Sequence, residues 1–416
     1  MSFKFTLLFL YFITAGSLYS QVEEVNPPEH IKSITFKSSS SDLGELPVIE
    51  LGNTFNLEFD ALADDEPDFY YKIEHFDYNW KPSVLIKSEF MLGFDNFRIQ
   101  DYTNSFNTFQ MYSHYKLSIP NEQTKQLKVS GNYMISIYDS YNELVFSRKF
   151  MIYENMVTPG IAIKRSRDIS NIETTQTVDI EIATGPQVNN PQQTVKALII
   201  QNSNLNTAIS NLKPQYTLGN TLIYRYTKET AFPGGNEYLF VETKDVRAAT
   251  NRIQSIALED LYQSYLFTDV ARADVPYTYN PDINGKFKIV AIDKDDVSIE
   301  ADYLDLHFTL KYPEMYNGEH IYIYGNYNNY ALDETNKMTF DPDREIYKKS
   351  MRLKQGFYNY KYVVVNKDGT LDEGAISGNF WQTENSYKVL VYYRNLGTRY
   401  DRIIGYNEVS STNITN

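Results

Sequence analysis

The chain contains no cysteine. That absence removes disulfide frameworks, thiolate metal sites, cysteine nucleophiles and a lipid-bearing N-terminal cysteine together. Basic residues are in deficit, with 39 Lys and Arg against 53 Asp and Glu and a net charge of −14 over 416 residues. Nucleic-acid binding rests on clustered Lys and Arg, so no nucleic-acid partner is expected. Histidine is scarce (His30, His75, His114, His307 and His320), and no two lie at i,i+2 or i,i+4, which leaves no local metal pair. His307 falls on the polar face of an alternating segment and reads as a plain surface histidine. There is no P-loop, G-x-G-x-x-G, G-x-S-x-G or H-E-x-x-H motif. No catalytic residue, cofactor or metal ligand is therefore expected, nor a small-molecule ligand. Paired carboxylates for glycoside cleavage rank last, because an acidic chain always offers some pair. The longest apolar run, Phe5 to Thr14, is shorter than the ~20 residues a membrane span needs. With Lys4 before it and Gly16, Ser17 and Ser20 after it, residues 1–20 read as an export signal and not as a direct membrane anchor.

What is present is alternation. Phe55, Leu57, Phe59 and Ala61 interleave with Asn56, Glu58 and Asp60; Val178, Ile180 and Ile182 with Asp179 and Glu181; Leu304, Leu306, Phe308 and Leu310 with Asp305, His307, Thr309 and Lys311. A period of two places one set in a core and the other in water, as in antiparallel sheets with one wet side. Runs rich in β-branched and aromatic residues (133–138, 195–200, 321–324, 360–365 and 387–393) suit the same geometry. Turn formers such as Ser130-Gly131-Asn132, Pro233-Gly234-Gly235 and Asp368-Gly369 separate them. Residues 256–267 fit either a helix or an irregular strand. The expected fold is all-β with little helix: three consecutive immunoglobulin-like or early-set β-sandwiches. After the signal, the units are placed at 21–155, 156–284 and 285–407, the first two able to pack as one body. A polar tail, 408–416, is expected to fray.

Two acidic clusters stand out, Asp64, Asp65, Glu66 and Asp68, and Asp293, Asp295 and Asp296. Neither has the calcium-loop pattern, so solvated loop charge is the favoured reading over a weak calcium site. The aromatic content is the more informative feature, at 36 Tyr and 24 Phe. Strands such as 321–324 alternate aliphatic residues with Tyr, which points to Tyr on surfaces, where its amphipathic ring suits an interface. The stretch 94–115 concentrates aromatics in a long connection. Phe94, Phe97, Tyr102, Phe106, Phe109 and Tyr112 are the candidate partner-binding residues. Binding is favoured over turnover.

Three stretches, in order, resemble the type IX secretion system plug family: DYTNSFNTFQMYSHYKLSIPNEQTKQLKVSGNYMISIYD (101–139), RADVPYTYNPDINGKF (272–287) and FWQTENSYKVLVYYRNLGTRYDRIIG (380–405). The resemblance implies a periplasmic protein of Bacteroidota. Its partner would be the outer-membrane secretion translocon barrel, whose periplasmic opening it would seal when no substrate carrier is bound. No residue roles carry over. In the third unit, IYIYGNYNNY and GFYNYKYVVVNKDG resemble starch-binding early-set sandwiches. The alternative function is therefore a periplasmic carbohydrate-binding protein, with Tyr327, Tyr330 and Trp381 as the sugar-stacking rings.

Overall fold

The computed structural model describes residues 22–38, 43–63, 65–186, 188–412 and 414; the expected export signal and Asp64 lie outside them. The chain forms three β-sandwiches. In the first, a sheet of Ile31–Ser38, Phe55–Ala61, Ser113–Ile119 and Tyr102–Asn104 faces one of Val48–Glu50, Leu144–Tyr153, Gly131–Tyr138 and Tyr70–Phe76. The alternation works as expected on the inner faces. Phe55, Leu57, Phe59 and Ala61 are buried and meet Ile73, Tyr133, Ile135, Phe146 and Phe150 from the facing sheet. The rings of Phe36, Phe55 and Phe150 pack with centroids 4.9 to 5.6 Å apart.

The other two units are not consecutive. The second sandwich takes one sheet from Gly160–Arg165, Thr175–Ala183, Tyr216–Leu218, Thr221–Tyr224 and Ala231–Pro233. Its other sheet joins Ile209–Leu212 and Val195–Gln201 to Ser386–Tyr393 and Arg402–Ser410, from the far end of the chain. The third sandwich is inserted between them and runs from Leu239–Glu242 to Leu371–Asp372. This corrects the linear division at 284 and 285. The turn-rich segment 276–285 is a loop inside the third sandwich, between Asp269–Val270 and Phe287–Ile289. Turn formers mark a change of direction, and nothing local tells a loop from a domain edge. The tail is corrected as well: Arg402–Ser410 is a strand, and the Ser411 hydroxyl accepts from the Asn385 N–H at 2.8 Å. Residues 256–267 resolve into the hairpin Ile253–Leu258 and Tyr262–Leu266.

The outer faces of the sheets are where the units meet. The first and second sandwiches stack sheet on sheet. Phe76, Tyr78, Trp80, Met134 and Met151 pack against Leu198, Ile200, Leu390, Tyr392 and Ile403. Tyr78 and Tyr392 meet edge to face at 4.5 Å, and the Tyr392 hydroxyl donates to Asn132 Oδ1 at 2.6 Å. Between the first and third, Asp60 on a nominally wet strand face is fully buried. Its carboxylate receives Lys354 Nζ at 2.7 Å, the Tyr303 hydroxyl at 2.6 Å and His114 Nδ1 at 2.7 Å. Burial pushes the Asp60 carboxyl up, but Lys354 and His114 outweigh it and hold it below its ordinary value. Between the second and third, the Tyr330 hydroxyl donates to Asn202 O at 2.7 Å and Asn204 Nδ2 to the Tyr324 hydroxyl at 2.9 Å. All three converge on Glu45 of the first unit, whose Oε2 accepts from Lys286 of the third and Lys388 of the second, each at 2.9 Å. Gly44 lets that segment approach. A Cβ there would lie 2.3 Å from the Phe287 ring.

Removing one member of a buried ion pair strands the other in a medium that solvates it poorly. Lys354→Met is therefore expected to destabilise the protein by about 3 kcal/mol. Adding Asp60→Asn to it should recover most of that loss. Urea unfolding of both variants checks the pattern, and equal destabilisation by single and double variants would contradict it.

Candidate functional site

The structure divides the aromatic stretch 94–115 into three parts with different jobs. Phe94 and Phe97 lie on an excursion from residue 84 to 97. Its helical turn, Lys87–Phe90, inserts Phe90 into the first core, and Glu89 Oε2 accepts from the Ile86 N–H at 2.9 Å to close the turn. The short strand Met91–Gly93 then pairs with Thr124–Leu127. Gly93 turns the chain with φ of 99°, where a Cβ would lie 2.0 Å from Gln123 O. Phe94 follows with its N–H on Gln123 O at 3.0 Å and its ring 73% exposed. The Lys87–Asp95 ion pair ties the two ends of the excursion. Val84, Ile86, Leu92, Phe94 and Phe97 are all exposed apolar side chains of this one segment. A loop of the second sandwich joins them. Arg399 donates to Val84 O at 2.9 Å and pairs with Glu89 at 2.5 Å, which brings along the exposed Leu396.

Phe106 and Phe109 sit at the other end of Ser113–Ile119, roughly 20 Å away at ~3.3 Å per residue. Their rings are exposed, but their backbones are anchored to the third sandwich. The Phe106 N–H donates to Ile299 O at 2.9 Å and the Phe109 N–H to Asp302 Oδ1 at 2.8 Å, while the Phe109 ring meets Tyr262 at 5.4 Å. Tyr102 is half-buried and donates to Glu66 Oε2 at 2.9 Å. Tyr112 corrects the expectation outright. It is 2% exposed, donates to Ala301 O at 2.9 Å and carries Lys354 Nζ over its ring at 4.1 Å. It holds units together and is closed to an outside partner. Val84, Ile86, Leu92 and Leu396 were not identified from sequence; a helical turn bearing apolar residues that cannot all face inward was the available signal.

The sugar-stacking trio does not form a platform. Tyr330 is 3% exposed, and its hydroxyl is spent on Asn202 O. Tyr327 packs edge to face on Tyr358 with a buried hydroxyl, and Trp381 lies under Arg165 at 4.7 Å. Tyr on strand 320–324 is likewise not a surface feature. Tyr322 and Tyr324 are both buried, because that sheet is covered on both faces.

The remaining polar residues do local work. Asp296 caps the turn Val297–Glu300 through the Ser298 N–H at 2.9 Å, and Asp68 pairs with Arg98 at 2.9 Å. His307 is half-buried, not a plain surface residue. Its ring nitrogens lie 2.6 Å from Ser350 Oγ and 2.8 Å from Gln263 Oε1, and it stacks on Tyr265. His75 is buried against Phe90, Tyr133 and Tyr400, and burial lowers it to about 4. Among the described residues no three His, Asp or Glu are grouped to hold a metal ion, and no helix is long and apolar enough to cross a membrane.

One electrostatic anomaly lies at the seam of the second and third units. Glu237 is 1% exposed; its Oε1 accepts from the Tyr277 hydroxyl and from the Glu384 N–H, while Oε2 has no partner. Burial pushes Glu237 up, with Glu384 adding to it, and pushes nearby Asp282 up to about 7. Carboxyls held above their unfolded values contribute stability that is fully present below pH ~4 and is lost as the pH rises through the folded values, which for Asp282 is about 7. Glu237→Gln is expected to raise the thermal midpoint at pH 8, by on the order of 1 kcal/mol of stability, and to lose the advantage by pH 4. Thermal denaturation across that range checks the sign; a gain independent of pH would contradict it.

Comparison with known proteins adds an independent line. Residues 31–154 match the type 9 secretion system plug protein 1st domain. No curated protein matches the chain. Among solved structures, a hypothetical protein from Parabacteroides merdae, seen in a 2.30 Å crystal structure, is 32% identical. The alignment covers 93% of this chain and 98% of that one, with a TM-score of 0.88.

Proposed function

We propose, from the premise that the chain belongs to the type IX secretion system plug family, that it is a periplasmic cap of the secretion translocon. In this reading it docks on the periplasmic opening of the outer-membrane barrel and seals it while no substrate carrier is bound. It does so as a binding protein, without catalysis.

The observation that carries the reading is the apolar excursion. Soluble monomers rarely expose contiguous apolar patches, and those that do often use them as interaction sites. Here Val84, Ile86, Leu92, Phe94 and Phe97 project from the very unit that matches the plug domain, with Leu396 beside them. Fully desolvated aromatic anchors dominate the energy of most protein interfaces, and Phe94 is the most exposed aromatic of the group. Two further properties suit a cap. The three sandwiches are bolted to one another through buried contacts, so the surface they present is rigid. The acidic balance keeps the protein soluble and favours docking on a basic rim.

Affinity capture from envelope extracts tests this. The tagged chain should recover the translocon barrel. Phe94→Asp combined with Phe97→Asp should weaken that recovery at least tenfold, since each aspartate would have to be desolvated in the interface. The double variant should keep the circular dichroism spectrum of the parent, because both side chains are outside the core. Undiminished recovery would place the docking face elsewhere; no recovery by the parent chain would overturn the reading. For the sealing step, loss of the protein should sensitise cells to large antibiotics.

A further inference from the structure

A cavity of about 620 Å³ forms a cleft between the first and third sandwiches, within the ~300–1,000 Å³ range of ligand sites. Two strand edges border it. Among the described residues Ile31–Ser38 is the outermost strand of its sheet and pairs only with Phe55–Ala61. Across the cleft, Ile346–Lys354 pairs with Tyr303–Lys311 along its length, but on its other side Thr339–Asp341 covers only residues 346–348. Residues 349–354 therefore have a side without a strand partner among the described residues. Edges of this kind are templates for another chain.

The charge in the cleft runs against the rest of the molecule. Lys32, Arg148, Lys349, Arg352 and Lys354 line it, against Glu29, Asp305 and Asp333. Arg352 is matched by Asp305 at 2.9 and 3.1 Å, and Lys354 by Asp60. Among the described residues Lys349 reaches only a carbonyl, Glu334 O at 2.6 Å. The Lys32 ammonium has no hydrogen-bond or ion-pair partner among the described residues, while its backbone sits in the ladder opposite Asp60. Arg148 is the decisive residue, because it is 8% exposed and among the described residues no carboxylate lies within ion-pair distance of it, Glu24 acting only from farther away. Its Nη1 donates to Ser147 O at 2.7 Å and to Val25 O at 3.4 Å, and the guanidinium lies over the Phe146 ring at 5.5 Å. A buried guanidinium without a contacting counter-ion is costly, and in a chain with 14 more acidic than basic residues it is conspicuous. Burial lowers both Lys32 and Arg148 below their ordinary values, with Glu29 and Glu24 respectively opposing the shift.

We propose that this cleft binds a short extended peptide segment of a partner protein, one that adds as a strand to an open edge and presents Asp or Glu side chains to Lys32 and Arg148. Backbone pairing would supply affinity and the two cations selectivity, as in strand-addition recognition. Phe287, Tyr327, Tyr358 and Met351 offer apolar wall for the alternate side chains. The proposal does not depend on the translocon reading.

The test is fluorescence anisotropy of the full chain with a labelled Val-Glu-Val-Glu-Val peptide and its Gln counterpart, together with amide hydrogen exchange. The Glu peptide should bind at least tenfold more tightly than the Gln peptide. It should lose at least tenfold on Lys32→Glu and severalfold on Lys32→Ala, which keeps the test available if the charge reversal fails to fold. Lys125→Glu, on an exposed strand away from the cleft, should change little. Exchange should slow along residues 31–36 or 349–354. Equal binding of the two peptides, no saturable binding, or binding without protection of either edge overturns the proposal. So does binding of phosphatidylglycerol vesicles, lost on Lys32→Glu, without peptide binding.

Discussion

A carboxylate taken out of water needs donors on every side, and Asp60 finds them only because two sandwiches meet around it. His114 comes from the strand beside it, whereas Lys354 and Tyr303 come from the third unit, almost 300 residues along the chain for the lysine. Neither half is tolerable alone. Without the third unit, Asp60 would sit in water on a polar strand face. Without Asp60, Lys354 would keep Ser298 O at 2.6 Å and the Tyr112 and Tyr303 rings, which do not neutralise a buried ammonium. The interaction thus specifies one docking of the units over alternatives more than it adds to stability. Glu45 repeats the logic at the point where all three sandwiches touch. Burial opposes its charge, but Lys388 and Lys286 outweigh burial and hold the carboxyl below its ordinary value.

The high tyrosine content follows from the same constraint. Of the largest fully buried side chains, ten are Tyr, from Tyr71 to Tyr392. A phenol fills a core like Phe but carries a hydroxyl that must find a partner. In this chain the partners repeatedly lie on another element: Tyr360 and Tyr362 both donate to Asp269, Tyr387 to Gln176, Tyr392 to Asn132, Tyr330 to Asn202. In a protein with no disulfide available, these phenol contacts are directional ties between layers and between units.

How far the sequence can be read follows from the range of each interaction. Strands such as Phe55–Ala61 and Tyr303–Lys311 were legible because alternation is a local consequence of having one buried face. The burial of Asp60 was not, since its cover comes from a remote unit and leaves the local pattern unchanged. The same holds for Ser386–Tyr393, whose β-branched and aromatic composition reveals a strand but not that it completes a sheet with Val195–Gln201. Within 94–115, residue type could not separate Phe94 from Tyr112. Both are aromatic and both lie in a connection; only tertiary packing buries the second and leaves the first outside. Tyr322 and Tyr324 were misread because alternation distinguishes the two faces of a strand, not whether the second is also covered.

Both candidate surfaces lie on seams, and this sets what the functional unit must be. The apolar excursion of the first sandwich is completed by Leu396 and braced by Arg399 of the second. The cationic cleft has one edge from the first sandwich and the other from the third. The match to the plug domain spans only residues 31–154, which contain one side of each surface. A TM-score of 0.88 over 93% of the chain at 32% identity cannot be reached if the sandwiches are merely similar one by one; their relative placement must be shared too. Two chains that differ at two positions in three therefore keep one inter-unit geometry. That geometry is held by apolar packing and buried polar contacts between the units, and each surface is assembled only when two units are in place.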